Sequence, residues 1–310
     1  MTPGRGVPRG GGSGAGQGRG RGRGAGTGRP ADLGTGRGRG RAVPGHGRGG
    51  RPVVDRRTRS ASHEGLGGDQ VEGRRAVREL LAAGRRPVRA VWLVEGQDPS
   101  AQLDEIEQLA TRRRVRVETV SRARLEAAAR TEAPQGVLAR ARPIDPVDLD
   151  ELAAPASGVA FLVVVAGVTD PRNLGALLRS AECAGATGIV LPRHRAAHLS
   201  PTVAKVAAGA IEHLDFALVG GIPNALERLS SLGVWTLGLA AESSKSIYDA
   251  QVGTGPVALV VGGEERGLPP LVRRRCDEVV AIPQHGELES LNAGVAAAVA
   301  CFEVARRRGG

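Results

Sequence analysis

Beyond residue 158 the chain carries six short, predominantly apolar runs, each followed by a helix-sized segment. The runs are VAFLVVVAGV (159–168), GIVLP (188–192), LDFALV (214–219), VWTLGLA (234–240), PVALVVGG (256–263) and EVVAIP (278–283). Each run is too short for a membrane helix and too continuously apolar for a strand with one face in water. Strands that bury both faces and alternate with helices make a parallel sheet covered on both sides. The expected fold class is therefore α/β. In such sheets a ligand sits beyond the carboxyl ends of the strands.

A smaller α/β unit is expected ahead of this sheet, over 69–142. EGRRAVRELLAAG reads as an amphipathic helix stopped by Gly84, VRAVWLV as a strand, and DPSAQLDEIEQLATRRR as a capped helix. VRVETV, a helix capped by Ser121, and the strand QGVLARARP complete it. About 70 residues lie near the lower limit for independent folding. Residues 143–157, rich in proline and acid, read as a linker to a larger domain over 158–310.

The formal net charge of +11 is concentrated at the front. Residues 1–50 hold 10 arginines against the single acid Asp32, together with 21 of the 47 glycines. Such a segment cannot bury enough surface to offset its ordering entropy, so a disordered tail is expected over 1–68. Arginine spaced by glycine is a flexible polycation suited to non-specific RNA affinity, or a solubilising extension. GHGRGG (45–50) matches a dinucleotide fingerprint in letters only, since no strand precedes it and no helix follows. Cys183, Cys276 and Cys301 lack paired spacing and read as free buried thiols of a reducing compartment. His194, His198 and His285 have no metal-type partners, so no metal is expected. With no apolar signal core and no membrane-length run, the expectation is a cytoplasmic protein with no membrane association.

Three polar, glycine-bearing segments begin where strands stop. In DPRNLGALLRSAECAGA (170–186), Asp170 and Pro171 suit a helix start, and Leu174, Leu177, Leu178 and Ala181 form its buried face. Arg172, Gly175, Arg179 and Glu182 form a second face, cationic and notched by the glycine. In VVGGEERGLPP (260–270), Gly262, Gly263 and Gly267 expose backbone groups beside Glu264. In IPQHGELESLN (282–292), Ser290 and Asn292 sit at the start of a helix packed with small residues. Together they suggest one shared pocket.

NLGALLRSAECAG, LVVGGEERGL and IPQHGELESLN together resemble the three signature motifs of the SpoU (TrmH-like) RNA ribose 2′-O-methyltransferases of the SPOUT superfamily. The likeness spans roughly 159–308, and VAKVAAGAIEHL (203–214) is similar to the family's segment between the first two motifs. EGRRAVRELL and APQGVLA resemble the small, ribosomal-protein-like substrate-binding domain of the 23S rRNA guanosine 2′-O-methyltransferases. The resemblance implies a C-terminal trefoil knot, a homodimer and S-adenosyl-L-methionine as methyl donor. It implies cofactor contacts at Gly262, Gly263, Gly267, Ile282 and Leu291, and catalytic roles for Asn173, Arg179, Glu264, Ser290 and Asn292. A guanidinium is effectively never neutral, so Arg179 suits a clamp on RNA phosphate and hydroxyl better than a base. Asn292 and Ser290 would orient the ribose, and Glu264 would take a proton or anchor Arg179. Glu265 and Ala207 depart from the family's usual glycine and serine.

The implied reaction is methylation of a guanosine ribose in 23S rRNA. Alternatives are the same chemistry on tRNA or on an rRNA adenosine, as in thiostrepton-resistance enzymes, and a silent RNA-binding assembly factor. A dinucleotide oxidoreductase is disfavoured, because no glycine fingerprint follows the first strand of the large sheet.

Overall fold

The computed structural model describes residues 66–194, 199–287 and 290–309. Nearly all of the Gly/Arg-rich tail, His198 and two residues of the third loop lie outside them, so the expectation of disorder over the tail falls there too.

The front unit is a four-stranded mixed sheet in the order β1-β4-β2-β3. Its strands are β1 (Gln70–Glu72), β2 (Val88–Val94), β3 (Arg116–Val120) and β4 (Val137–Ala141). Two helices, α1 (Arg74–Ala83) and α2 (Ala101–Arg112), bury Val77, Leu80 and Ile106 against Val91 on one face. The short α3 (Arg122–Ala128) places Leu125 on Leu138 and Val120 on the other. Ser100 and Ser121 accept from the backbone N–H groups of Leu103 and Arg124, capping α2 and α3 as their positions predict. Gly84 ends α1 at φ +62°, the left-handed geometry that glycine supplies.

β1 is absent from the sequence reading, because its residues are polar. Gln70 and Glu72 are nonetheless fully buried. The Glu72 carboxylate accepts from the backbone N–H groups of Arg130 at 2.7 Å and Thr131 at 3.0 Å. Those partners lie far along the chain and leave no local trace.

The large sheet contains the six expected strands, all parallel, in the order β10-β8-β9-β5-β6-β7. They are β5 (Phe161–Ala166), β6 (Gly188–Pro192), β7 (Asp215–Val219), β8 (Trp235–Leu239), β9 (Val257–Gly262) and β10 (Glu278–Val280). On one face pack α5 (Pro171–Cys183), α6 (Pro201–Val206) and α9 (Ala293–Arg308). On the other pack α4 (Leu149–Ala153), α7 (Ile222–Ser231) and α8 (Pro270–Arg275). Every residue of β5 and β9 is buried, as their unbroken apolar runs require. The strand order reverses between these two neighbours, and such a switch point opens a crevice at the strands' carboxyl ends.

Residues 143–157 do not behave as a free spacer. Ile144 pairs with Leu66, Val147 donates to the carbonyl of Phe216 at 2.9 Å, and Leu152 and Ala153 of α4 are buried. The prolines and acids describe only the outer side of this segment.

Contact between the front unit and the large sheet is close. Arg86 donates to Glu212 at 2.8 Å, with side-chain exposures of 3% and 1%. Gly209, at φ +92°, has no room for a side chain: a Cβ would lie 2.4 Å from the Glu79 Cβ and 3.5 Å from the Ala76 Cα. Helix α1 therefore rests on the backbone of the segment that follows α6.

Among the described residues no helix is long and apolar enough to cross a membrane, and no cluster of His, Cys, Asp and Glu could hold a metal. Cys301 is buried and Cys276 half-buried, and burial pushes both thiols up to about 12. Cys183 is exposed, contrary to the sequence reading, because it lies on the Arg179 and Glu182 side of α5 and not on the face that buries Ala181.

Candidate active site

Helix α5 starts as its sequence predicts, with Asp170 accepting from the backbone N–H of Arg172 at 2.6 Å. Leu174, Leu177, Leu178 and Ala181 are all fully buried. The glycine notch on its second face is not a ligand site. A Cβ at Gly175 would fall 2.6 Å from the Val206 Cβ and 3.1 Å from the Val203 carbonyl oxygen, so the notch admits α6.

The glycines after β9 likewise serve protein contacts. A Cβ at Gly262 would meet the Gly267 carbonyl carbon at 2.2 Å, and one at Gly263 would meet the Gly167 oxygen at 2.3 Å. Gly263 and Gly267 exchange both backbone hydrogen bonds, at 3.2 and 3.0 Å. The loop closes on itself and on the loop after β5, bringing Glu264 over the start of α5. These amides are engaged with each other, whereas the sequence suggests that they face a ligand.

Three expected site residues meet at that point. Asn173 donates from Nδ2 to Glu264 Oε1 at 2.6 Å and accepts at Oδ1 from Asn292 Nδ2 at 2.9 Å. Asn292 also caps α9, its Oδ1 accepting from the N–H groups of Gly294 at 2.9 Å and Val295 at 3.3 Å. One side chain thus fixes the helix start and the site together. Gly294 permits this, since a Cβ there would lie 3.2 Å from the Ala176 Cβ and 3.4 Å from the Asn173 oxygen.

Arg179 lies apart from this cluster. Six residues beyond Asn173, it stands about 9 Å further along the axis and on another face of α5. It is exposed, and among the described residues no carboxylate lies within ion-pairing distance of it. The expected anchoring of Arg179 by Glu264 is not seen, because Glu264 takes Asn173 as its partner. Arg179 opens instead onto the groove between the two sheets. Ser290 is exposed and makes no hydrogen bond to another described residue.

Ile282 is half-buried against the large core, and Leu291 is 41% exposed beside Asn292. The backbone N–H groups of residues 284–287, between them in the chain, have no partner among the described residues. Amides without a partner among the described residues, flanked by apolar side chains, fit a nucleoside cofactor held mainly by backbone and apolar contact.

Residues 160–302 match the SpoU rRNA methylase family, and residues 70–147 match the RNA 2′-O ribose methyltransferase substrate-binding family. The chain is 36% identical to the 23S rRNA (guanosine-2′-O-)-methyltransferase RlmB of Pseudomonas putida, over 77% of this chain and 97% of that protein. The chain belongs to the SpoU rRNA methylase family. The Photobacterium profundum protein of the same name is 35% identical, over 78% of this chain and 99% of its own length. Among solved structures, the SpoU methyltransferase AviRb from Streptomyces viridochromogenes, in complex with AdoMet, matches with a TM-score of 0.63. It is 26% identical, over 78% of this chain and 90% of its own. As in other SpoU methylases, the methyl donor is S-adenosyl-L-methionine.

Two cations that the sequence analysis did not single out, Arg74 and Lys205, line the groove onto which Arg179 opens. A signal for the first was present. Arg74 and Arg75 open α1 with no acid in its first turn, where the helix dipole disfavours positive charge.

Proposed function

We propose that this chain transfers the methyl group of S-adenosyl-L-methionine to the ribose 2′-oxygen of a guanosine in 23S rRNA. The carrying observation is the hydrogen-bonded Asn173–Glu264–Asn292 cluster at the switch point of the sheet. The relatives named for this substrate align along nearly their whole length, front unit included.

The cofactor supplies a methyl group already activated for transfer, so the chain must position a poor nucleophile and remove its proton. Residues 284–287, Ile282 and Leu291 would hold the cofactor. Gly262, Gly263 and Gly267 contribute by shaping the loop that carries Glu264. Glu264 Oε2 has no hydrogen-bond partner among the described residues and would accept the hydroxyl proton. Asn292 and Ser290 would orient the ribose. Arg179 would grip the adjoining phosphate bidentately and stabilise charge developing on the 2′-oxygen.

The finer architecture follows the same reading. We assign 69–142 to substrate binding and 158–310 to a knotted methyltransferase domain. The edge position of β10 and the packing of α9 on α5 and β9 support that reading. Val295 and Phe302 leave apolar side chains exposed on one face of α9, supporting a homodimer that sedimentation would detect. The protein would act in the cytoplasm. The tail, which adds general RNA affinity in this proposal, should flatten the salt dependence of binding when residues 1–50 are removed.

Mapping ribose methyls in rRNA and tRNA from a deletion strain tests the assignment. One guanosine of 23S rRNA should lose its methyl group. An unchanged 23S map would overturn the reading.

A further inference from the structure

A groove of about 1040 Å³ runs between the front unit and α5–α6, outside the Asn173–Glu264–Asn292 cluster. Five cations line it: Arg74, Arg75, Arg122, Arg179 and Lys205. Its four carboxylates, Glu72, Asp98, Glu126 and Glu132, form an ion pair with none of them. Glu72 is already committed to backbone amides.

Among the described residues, two of these cations are held by neutral atoms alone. Arg74 donates to Gln135 O at 3.3 Å, Ser100 Oγ at 3.1 Å and Gln97 Oε1 at 3.2 Å. Lys205, from the other wall, donates to the carbonyl of Ala133 at 2.5 Å. Both anchors come from the 133–135 loop, where Gln135 holds φ at +57°, a strained value for a residue with a side chain. Strain of this kind persists where the surrounding structure needs one geometry. Neutral acceptors fix the positions of the two side chains, and no carboxylate among the described residues compensates their charge.

We propose that Arg74 and Lys205 are phosphate-gripping residues of an RNA track that crosses both domains and ends at Arg179. The proposal rests on the rRNA methyltransferase reading and names how that substrate is held. At about 1040 Å³ the groove lies at the upper end of the roughly 300–1,000 Å³ range of ligand sites, room enough for a stretch of RNA chain. Arg86–Glu212 and the Gly209 contact hold the two walls in register, so the spacing between the two cations and Arg179 is built in.

The test measures RNA affinity of the full chain against salt, with an rRNA fragment as probe. Arg74→Gln and Lys205→Gln should each lower the slope of log affinity on log salt by about 0.7 to 0.9, and the pair by twice that. KM for RNA should rise while the Kd for S-adenosyl-L-methionine stays constant. Arg75→Gln, which removes an exposed groove cation with no ion-pair or hydrogen-bond partner among the described residues, should act in the same direction should either of the others fail to fold. Arg274→Gln, an exposed cation on α8 outside the groove, serves as the control. A slope unchanged in the double variant, or an equal loss in Arg274→Gln, would overturn the track. So would displacement by polyglutamate as effective as by RNA. Methyl transfer by the parent protein is scored separately, so failure of the track and failure of the assigned reaction read differently.

Discussion

Asn173 spends both ends of its amide inside the site, as donor to Glu264 and acceptor from Asn292. Its removal leaves a carboxylate and an amide each lacking one partner, but both are exposed to water and lose little stability. The cost falls on alignment, where a displacement near 1 Å can reduce the rate on the order of 10²-fold. Asn173→Ala should therefore reduce methyl transfer by about that factor with the melting temperature and cofactor Kd nearly unchanged. Arg179→Ala should also spare cofactor binding while abolishing most turnover. Arg179→Lys should not restore it, because an ammonium cannot reproduce a bidentate fork. Turnover close to the parent in either alanine variant would remove that residue from the mechanism.

Helix α9 shows how an element decides what a residue can do. Asn292 reaches Asn173 only because Gly294 lets the first turn of α9 lie against Ala176. Gly294→Ala gains helix propensity, about 0.5–1 kcal/mol, yet needs a few tenths of an ångström between the helices. Stability should hold within about 1 kcal/mol, while methyl transfer falls; Gly294→Val should lower both. Equal rates in the parent and Gly294→Ala would show that the 2.9 Å Asn292–Asn173 bond does not govern the reaction. At this scale the sequence was an uneven guide. Six parallel strands were legible, since burial on both faces writes an unbroken apolar run. β1 was not, because Gln70 and Glu72 are made burial-competent by a loop almost sixty residues away. The Asn173–Glu264–Asn292 meeting was expected from three motifs at strand ends, yet the packing role of Gly175, Gly262 and Gly263 was not legible. These glycines answer to Val206, Gly267 and Gly167, partners that only the folded chain identifies.

Across the whole molecule the buried Arg86–Glu212 pair joins the front unit to the large sheet. Burial pushes the Glu212 carboxyl above its ordinary value, with Arg86 only partly opposing it, so desolvation outweighs the attraction. The sign follows. A raised carboxyl means that the folded chain binds this proton more tightly than the unfolded one. Stability from that group is then full below the ordinary carboxyl pKa and declines as pH climbs through the folded value. Glu212→Gln should flatten that limb of the stability curve. Arg86→Met alone should cost about 3–5 kcal/mol by stranding a buried carboxylate, whereas Arg86→Met with Glu212→Leu should recover most of it. Urea unfolding at several pH values would measure all three. A double variant as unstable as Arg86→Met would mean that the pair holds the domains by charge rather than by packing. If instead the double variant is stable but has lost RNA affinity, the ion pair is retained to set the spacing of the groove walls, not to stabilise the fold.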